Sequence, residues 1–233
     1  MTVKIAHIAD VHWRGLSRHE EYRQTFEIFF EKCRELQPDY IYIGGDIVHS
    51  KTQNISPELI SNLSWWFNEM ASICQVVVIL GNHDGLMLNS DRMDTISPII
   101  EALDNPRISY YKDSGRFPLK NHPGFNWCVL SCFDTENWKK ARPKKGEVNI
   151  ALYHGAIWGS HTDMEFMLEG DDNIDIFKGF DFAVSNGKAD KSSADSMSLK
   201  EAAVVKLINA YRSRGHLIAK TNPVRERRVH KAD

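Results

Sequence analysis

The sequence predicts an α/β fold with two sheets and helices on the outside, and three observations support this. Apolar runs and helical periods alternate along the first half of the chain as strand, helix, strand, helix, strand, a pattern typical of a parallel sheet covered by helices. Later predicted strands follow one another with little helix between them, which indicates a second sheet. Four of the apolar runs end in carboxylate, imidazole or amide side chains, which predicts a polar site where these strands end.

Each element has its own signal in the residue pattern. The helix from His19 to Leu36 collects its aromatic residues on one side, and Pro38 follows its end. Ser56 and Pro57 are typical of an N-cap and a first helical position, and they begin a helix that runs to about Ser72. A weaker helix covers about Thr95 to Leu103. The predicted strands are Val3–Ala9, Tyr40–Gly44, Val76–Leu80, Ile108–Lys112, Asn126–Phe133, Val148–Tyr153 and Phe180–Val184.

Bulk composition narrows the class of protein. The 233 residues suit one domain, or one domain plus a tail, and the net charge of −2 shows no overall basic character typical of nucleic-acid binding. None of the four cysteines forms a CxxC pair, so we expect reduced thiols and a cytoplasmic location, with Cys128 and Cys132 on one face of a strand. There is neither a signal peptide nor an apolar run of about 18 residues, so we expect no membrane association.

The amino-acid composition of the chain changes at about Ser185. Small polar residues over 185–197 predict a linker. Ser198 and Glu201 form a capping-box pattern, and a helix with a modest apolar stripe is expected from there to about Arg214. We therefore predict three parts: a catalytic-type domain over 1–184, the linker over 185–197, and a basic helical tail over 198–233.

The polar residues at the strand ends are suited to divalent metal ions. Asp10 and His12 alternate along a strand end, so both can face one ion, although such a pair is more often a solvated loop. Asp46 follows two glycines that allow close backbone approach, and its carboxylate can bridge two cations. Asn82 offers a neutral oxygen ligand, and His154 adds an imidazole suited to Mn, Fe or Zn. All four strand ends together indicate a metal pair rather than coincidence.

These motifs resemble those of the calcineurin-like metallophosphoesterases. In detail they are similar to the SbcD-type DNA-repair exonucleases, in the small versions that bacteriophages carry. The segment from Gly45 to His49 matches the extended second motif of those nucleases. The resemblance covers residues 1–184 and implies a two-sheet α/β sandwich flanked by helices, with two divalent metal ions. Mn is the first expectation, and Mg, Fe or Zn are the alternatives.

The resemblance also implies a role for each residue. The ions would activate a water molecule and clamp the scissile phosphate. Asp10 and His12 would hold one metal, Asn82 and His154 would hold the second, and Asp46 would bridge the two. His83 would donate a proton to the leaving oxygen. His49 would lie beside the site and orient His83 or the phosphate.

The chain departs from the family pattern at the last strand. The family closes its site with Gly-x-His or Gly-His-x-His, whereas the strand here continues into Ser185-Asn186-Gly187, so each metal would lack one imidazole. His161 and His216 are poor replacements, and His7 and His122 are expected to be a strand and a loop residue. DNA is the implied substrate. The nucleases of this family work with an SbcC-type ATPase as partner. We do not expect that partnership here, because the capping and ATPase-binding segments are not found after the catalytic domain.

The tail resembles a different protein. Val204–Val224 is similar to the amino-terminal part of the decarboxylating component of 2-oxoglutarate dehydrogenase, and the resemblance covers about residues 188–233. A chimeric reading frame, joined by recombination or sequence assembly, is the simplest interpretation. Three hypotheses remain open: a metal-dependent phosphodiesterase of the exonuclease type impaired by the missing histidines, a non-catalytic domain, and an interaction segment of a dehydrogenase complex.

Overall fold

A computed structural model describes residues 2–49, 55–87, 89, 92–158 and 172–185. All of them lie in the first of two compact units of the chain, Met1–Ala189. Of the linker predicted over 185–197, only Ser185 is described, and it ends the last strand rather than beginning a linker. The expectations for the rest of the linker, for the tail helix, and for His161 and His216 fall outside the described residues.

The first sheet has four parallel strands in chain order, β1 (Ile5–Ile8), β2 (Tyr40–Ile43), β3 (Gln75–Ile79) and β4 (Ile108–Tyr111). The strands are connected by α1 (His19–Leu36), α2 (Pro57–Ile73) and α3 (Ser97–Leu103). The predicted alternation of strands and helices is therefore confirmed. The first strand is shorter than predicted because only Ile5–Ile8 pairs with β2.

The predicted helix signals act as expected in α1 and α2. The Ser56 hydroxyl accepts a hydrogen bond from the Leu59 amide at 3.1 Å, and Pro57 occupies the first turn. At the end of α1, Gln37 adopts a left-handed conformation with φ 50° and donates its amide to the Cys33 carbonyl. Pro38 then prevents the helix from continuing.

The second sheet consists of β5 (Gly115–Pro118), β6 (Phe125–Leu130), β7 (Val148–Tyr153) and β8 (Phe182–Ser185). Strand β5 is antiparallel to β6, and the other neighbours are parallel. The sequence did not predict β5 because Gly115 and Pro118 are poor strand residues and leave only two residues of strand character between them. Two 3-10 helices, Thr135–Ala141 and Ile174–Phe177, were also not predicted.

The prediction that Cys128 and Cys132 share one strand face is wrong. Strand β6 ends at Leu130, and Cys132 lies in the following turn, where the alternation of a strand no longer applies. All four cysteines are free thiols, and burial raises the pKa of Cys33 and Cys132 to about 12.

Apolar side chains form three layers. One core cluster lies between the helices and β1–β4, and it contains Trp13, Phe30, Trp66 and Phe67 at 1% exposure or less. The second lies between the sheets, where alternate residues of β2 and β3 meet those of β6 and β7. The third covers the outer face of the second sheet beneath the 3-10 helices. This is the predicted two-sheet α/β fold flanked by helices. In the described part of the chain, no helix combines the length and apolarity needed to cross a bilayer.

Candidate metal centre

The predicted ligands after β1 and β2 are held in two loops that are hydrogen-bonded to each other. The Asp10 amide donates to the Gly45 carbonyl at 3.1 Å, and the His12 amide donates to the Asp46 carbonyl at 2.9 Å. Beyond these bonds, buried Trp13 pairs with Val48 in a parallel bridge. The sheet pairing thus resumes on the far side of the site, so the two loops are anchored at both ends.

Three of these residues have left-handed backbone conformations. The φ angles are 52° for Asp10, 53° for His12 and 52° for Asp46. Each such conformation costs about 1–3 kcal/mol in a residue other than glycine, and it persists only where the surroundings enforce it. The other non-glycine residues with positive φ in the described structure, Arg18, Gln37 and Asp104, lie at helix ends. Backbone strain away from helix ends is therefore concentrated at the predicted ligands.

Two glycines allow the loops after β2 and β3 to touch. A Cβ atom on Gly45 would lie 2.7 Å from both the Gly81 Cα and the His154 Nδ1, and Gly45 has a φ of 86°. A Cβ atom on Gly81 would overlap the backbone nitrogen and the carboxylate of Asp46. Since no side chain fits between these backbones, glycine at both positions is what brings Asp46 next to Asn82.

Three imidazoles direct their Nε2 atoms toward the Asp46 carboxylate. His154 Nε2 lies 3.3 Å from Asp46 Oδ1, while Nε2 of His12 and Nε2 of His83 lie 3.6 and 4.0 Å from Oδ2. Asp46 is 5% exposed and also accepts the His83 backbone amide at 2.8 Å. Asp46 is therefore the hub of the cluster, as expected of a bridging carboxylate.

The far nitrogens of two imidazoles are fixed by backbone carbonyls. His154 Nδ1 lies 2.7 Å from the Gly44 carbonyl oxygen, and its Nε2 then faces Asn82 Oδ1 at 3.0 Å. His83 Nδ1 lies 2.7 Å from the carbonyl oxygen of His49. Such contacts set the ring orientation and leave the other nitrogen for the site, as is usual for metal-binding histidines.

The donor set fits divalent cations. Two ligands bound to one ion at about 2.0–2.2 Å are separated by roughly 3.0–3.6 Å at tetrahedral to octahedral angles. The distances from His154 and His12 to Asp46, and from His154 to Asn82, fall in this range. Two groups whose ligand atoms lie within 4.8 Å of one another share Asp46; they are Asp10, Asp46 and His154, and His12, Asp46 and His83.

Distance separates His83 from the other two imidazoles that face Asp46. Proximity alone would group it with His12 and Asp46. Its 4.0 Å separation from the Asp46 carboxylate nevertheless exceeds the span of two ligands on one ion. His12 Nε2 lies closer, at 3.6 Å, so His12 is the better ligand by distance, and His83 lies beside the cluster. The far nitrogen of His12, Nδ1, is buried without a hydrogen-bond partner in the described structure, so no such bond orients that ring.

Charge coupling within the cluster shifts several pKa values. Burial alone would raise the pKa of Asp46, but the hydrogen bond and charge of His154 and the His83 amide outweigh it and lower that pKa. Burial alone would lower the pKa of His154, but Asp46 outweighs it and raises that pKa. For His12, burial dominates and lowers the pKa. Asp46 is thus kept ionised, and cations compete with a proton mainly at His154.

Asp84 is a site residue whose role the sequence did not reveal. It is fully buried, and its carboxylate accepts the Val48 amide at 2.9 Å and the Gly81 amide at 3.0 Å. Burial raises the pKa of Asp84 to about 7, although both amide bonds oppose the shift. Asp84 therefore clamps the loop after β2 to the loop after β3. Its position directly after His83 was the available signal.

The other predicted residues lie in several settings. His49 is exposed, and its ring lies 5.8 Å from that of His12, so it is beside the site. Its contact with His83, however, is made by the backbone carbonyl rather than by the imidazole. His7 lies in β1 and stacks on Tyr42, and His122 lies in a loop near Tyr40, both in the expected types of element.

The described chain ends at the level of the site on its last strand. Ser185 pairs with Tyr153, the residue before His154, so β8 reaches the edge where the ligands converge. The sequence that follows, where the family's closing motif would stand, lies outside the described residues.

Comparison with known proteins agrees with this architecture. The family model for calcineurin-like phosphoesterases matches residues 3–195. The chain belongs to the calcineurin-like phosphoesterase family. The matched segment contains both sheets and every residue of the candidate metal centre described above.

Relatives of this phosphoesterase include much longer proteins. An uncharacterized protein of Acanthamoeba polyphaga mimivirus is 32% identical over 195 residues, which is 77% of this chain and 14% of that protein. The DNA double-strand break repair protein Mre11 of Methanopyrus kandleri is 26% identical over 196 residues, which is 72% of this chain and 41% of that protein. The chain thus spans less than half the length of either relative.

A solved structure similar to this phosphoesterase is the crystal structure of Pseudomonas putida nuclease MPE. The identity is 17% and the TM-score is 0.38, with 70% of this chain and 66% of the other covered.

Proposed function

We propose that this phosphoesterase is a metal-dependent phosphodiesterase of the nuclease type that uses two divalent cations, with Mn as the first candidate. The observation that carries the proposal is the pair of donor groups sharing Asp46. The family pattern would place Asp10 and His12 on one ion and Asn82 and His154 on the other. The donor groups divide differently, with Asp10 beside His154 and His12 beside His83, so the assignment of ligands to each ion is part of the proposal. When bound, the ions would activate a water molecule and neutralise phosphate charge.

The residues around the ligands supply the remaining chemistry. His83 is 42% exposed at its side chain and directs Nε2 toward the cluster, so it is suited to donate a proton to a leaving oxygen. Its Nδ1–H donates to the His49 carbonyl, which keeps the imidazole in that orientation. The role of His49 is thus to position His83 through its backbone. The name of the Mre11 relative, a DNA double-strand break repair protein, supports nucleic acid as the substrate class.

We further propose that the activity is weak. No Gly-x-His follows Ser185 in the sequence, so each ion would lack one imidazole of the family pattern. An ion held by fewer ligands binds less tightly, and misplacement by about 1 Å can reduce the rate by on the order of a hundredfold. Replacing residues 185–188 with Gly-Asp-Ile-His should therefore tighten Mn binding and increase turnover. Unchanged Mn affinity in that variant would show that another residue already completes the site.

Titration of the full chain with Mn²⁺ in a calorimeter tests the proposal. We expect two sites per chain, and Asp46→Asn should lose both because it removes the shared carboxylate charge. His122→Asn is the matched control, since His122 lies near Asp39, at the opposite end of β2 from Asp46. Hydrolysis of bis(p-nitrophenyl) phosphate and of linear duplex DNA is then measured with Mn²⁺. Binding of one ion or none by the wild type, or a tight site that survives in Asp46→Asn, would refute the two-metal arrangement.

A further inference from the structure

A dense group of cations lies on the outer side of the second sheet. Five of the seven residues from 139 to 145 are basic, in a chain with a net charge of −2. We call this segment the basic strip; its members are Lys139, Lys140, Arg142, Lys144 and Lys145, and all of them are exposed.

The helix that carries the first two members of the strip begins beside the candidate metal centre. The 3-10 helix Thr135–Ala141 follows the carboxyl end of β6, the edge on which β7 carries His154. Just before this helix, the Phe133 ring packs so closely on Gly85 that a Cβ there would lie 3.1 Å from it. Gly85 follows Asp84 directly. With a rise of about 2.0 Å per residue, the lysines lie roughly 10 Å along the helix from this rim.

Packing of the helix directs its lysines outward. Ala141 is completely buried, and the Trp138 ring lies 6.0 Å from that of Tyr153 while its Nε1–H donates to the Ser131 carbonyl at 2.8 Å. Residues three apart share a face of a 3-10 helix, so Trp138 and Ala141 form the inner face. Lys139 and Lys140, which lie between them, therefore face solvent.

The backbone of the strip is fixed from below. Arg116 of β5 donates its Nη1–H to the Arg142 carbonyl at 3.0 Å, which adds a sixth guanidinium or ammonium group to the surface. A surface cavity of about 270 Å³ lies between Arg116 and Lys144. Because the side chains project from an anchored segment, a rigid ligand would meet several cations at once.

Most of this charge is not neutralised within the described part of the chain. Lys144 pairs with Glu147, but the other four members of the strip have no ion pair among the described residues. By contrast, Lys32 and Arg34 of α1 pair with Glu35 and Glu69. A local excess of positive charge on a chain of nearly neutral net charge is typical of a surface that binds a polyanion.

We propose that the basic strip binds the phosphate backbone of a nucleic acid strand outside the metal centre and so holds the strand whose scissile phosphate lies at Asp46. This inference rests on the proposed nuclease-type function, because it assigns a second contact surface to the same substrate. An anionic membrane fits less well, since no large apolar side chain is exposed between residues 135 and 147 to enter a lipid headgroup layer.

The salt dependence of binding tests the strip separately from catalysis. The full chain is mixed with a fluorescein-labelled 30-base-pair duplex in EDTA, so that hydrolysis cannot occur, and binding is followed by anisotropy from 50 to 200 mM KCl. Each lost phosphate contact lowers the slope of log K against log salt by about 0.9. The double variant Lys139→Gln, Lys140→Gln should therefore reduce the magnitude of this slope by about 1.8. Between 50 and 200 mM KCl, its affinity for the duplex should then fall about tenfold less than that of the wild type.

Two variants make the result specific. Lys139→Arg with Lys140→Arg keeps the charge and should retain the wild-type slope. Lys32→Gln with Arg34→Gln removes the same charge from α1 and should also leave the slope unchanged. Equal loss in both glutamine variants would show a general charge effect and overturn the proposal. An unchanged slope in the strip variant would also overturn it, as would a wild type that does not bind the duplex. Binding to phosphatidylserine vesicles is measured in parallel. A strip variant that loses vesicle binding but keeps duplex binding would likewise overturn the proposal. Absence of hydrolysis in Mn²⁺ with the binding result intact would reject only the proposed function.

Discussion

Replacing Gly81 with alanine tests whether the proposed metal centre depends on the contact between the loops after β2 and β3. Gly81 does not have a positive φ, so alanine is compatible with its backbone conformation. The difficulty is space, because the new methyl group would overlap the backbone nitrogen and carboxylate of Asp46 and lie 2.9 Å from its Cα. The neighbouring atoms belong mainly to the backbone, which cannot rotate away as a flexible side chain can.

The size of the effect follows from these contacts. Ordinary contacts of a Cβ atom are 3.4–4 Å, so the Asp46 loop must move away from Gly81 by about 1 Å. Crowding of this kind costs about 1–3 kcal/mol of folding free energy. The same shift would move Asp46 relative to His154, now 3.3 Å away, and would break the ligand spacing. We therefore expect loss of Mn²⁺ affinity and a decrease in turnover on the order of a hundredfold.

Calorimetric Mn²⁺ titration and thermal unfolding of the full chain measure the two effects. Gly146→Ala is the control, because Gly146 has a φ of 84° but open space around its Cβ position. That variant should lose about 1–2 kcal/mol of stability from backbone strain while keeping its Mn²⁺ affinity. Wild-type affinity in Gly81→Ala, or an equal loss of affinity in Gly146→Ala, would refute the reasoning.

Two further predictions concern residues beside the ligands. His83→Ala should lower turnover by about 10²–10⁴-fold with Mn²⁺ affinity unchanged, whereas His49→Ala should lower it much less because His49 contributes its backbone carbonyl. Loss of Mn²⁺ binding in His83→Ala would instead make His83 a ligand. Asp84→Asn removes a carboxyl whose pKa is raised by burial to about 7. A raised carboxyl pKa stabilises the folded state at low pH, and this contribution disappears as the pH rises from about 4 through about 7. Urea titrations in EDTA measure the free energy of unfolding across this pH range. The wild type should lose at most about 4 kcal/mol more than Asp84→Asn. Parallel curves of unfolding free energy against pH would contradict this.

The first sheet and its helices could be predicted from the sequence because local signals and burial agree there. Tyr40–Ile43 is buried throughout and forms a continuous apolar run between paired neighbours on both sides. Ser56 and Pro57 mark the start of α2 by chemistry that needs no tertiary contact. The two α-helices with both signals, α1 and α2, were accordingly predicted to within one or two residues at each end.

The second sheet was less predictable because its edges depend on tertiary contacts. Strand β5 contains Gly115 and Pro118, and it exists because it pairs with β6 and stacks Phe117 on Tyr111 at 4.2 Å. The first 3-10 helix has few residues of helical pattern, and it is held by Trp138 and Ala141 packing on the sheet. Neither interaction leaves a periodic signal in the local sequence.

The candidate metal centre shows the same division between local and tertiary information. Residue types at four strand ends were enough to predict that Asp10, His12, Asp46, Asn82 and His154 converge, because parallel strands share an edge. The sequence could not rank the imidazoles, since that depends on distances such as the 3.6 and 4.0 Å separations from Asp46 to His12 and to His83. It also could not show that Asp84 clamps the loops, because a buried carboxylate and a ligand carboxylate look alike in a motif.

The features that make the site strained also make it depend on its surroundings. Left-handed backbone at Asp10, His12 and Asp46 is held by bonds between the loops, by the Gly45–Gly81 contact and by the Asp84 carboxylate. The interactions of three imidazoles with the Asp46 carboxylate offset part of the free-energy cost of this strain, and bound cations would offset more of it through direct coordination. It follows that metal binding and loop stability are linked. Substitutions at Gly81 and Asp84, which touch no ion, should therefore change Mn²⁺ affinity together with folding stability, whereas substitutions in the basic strip should change neither.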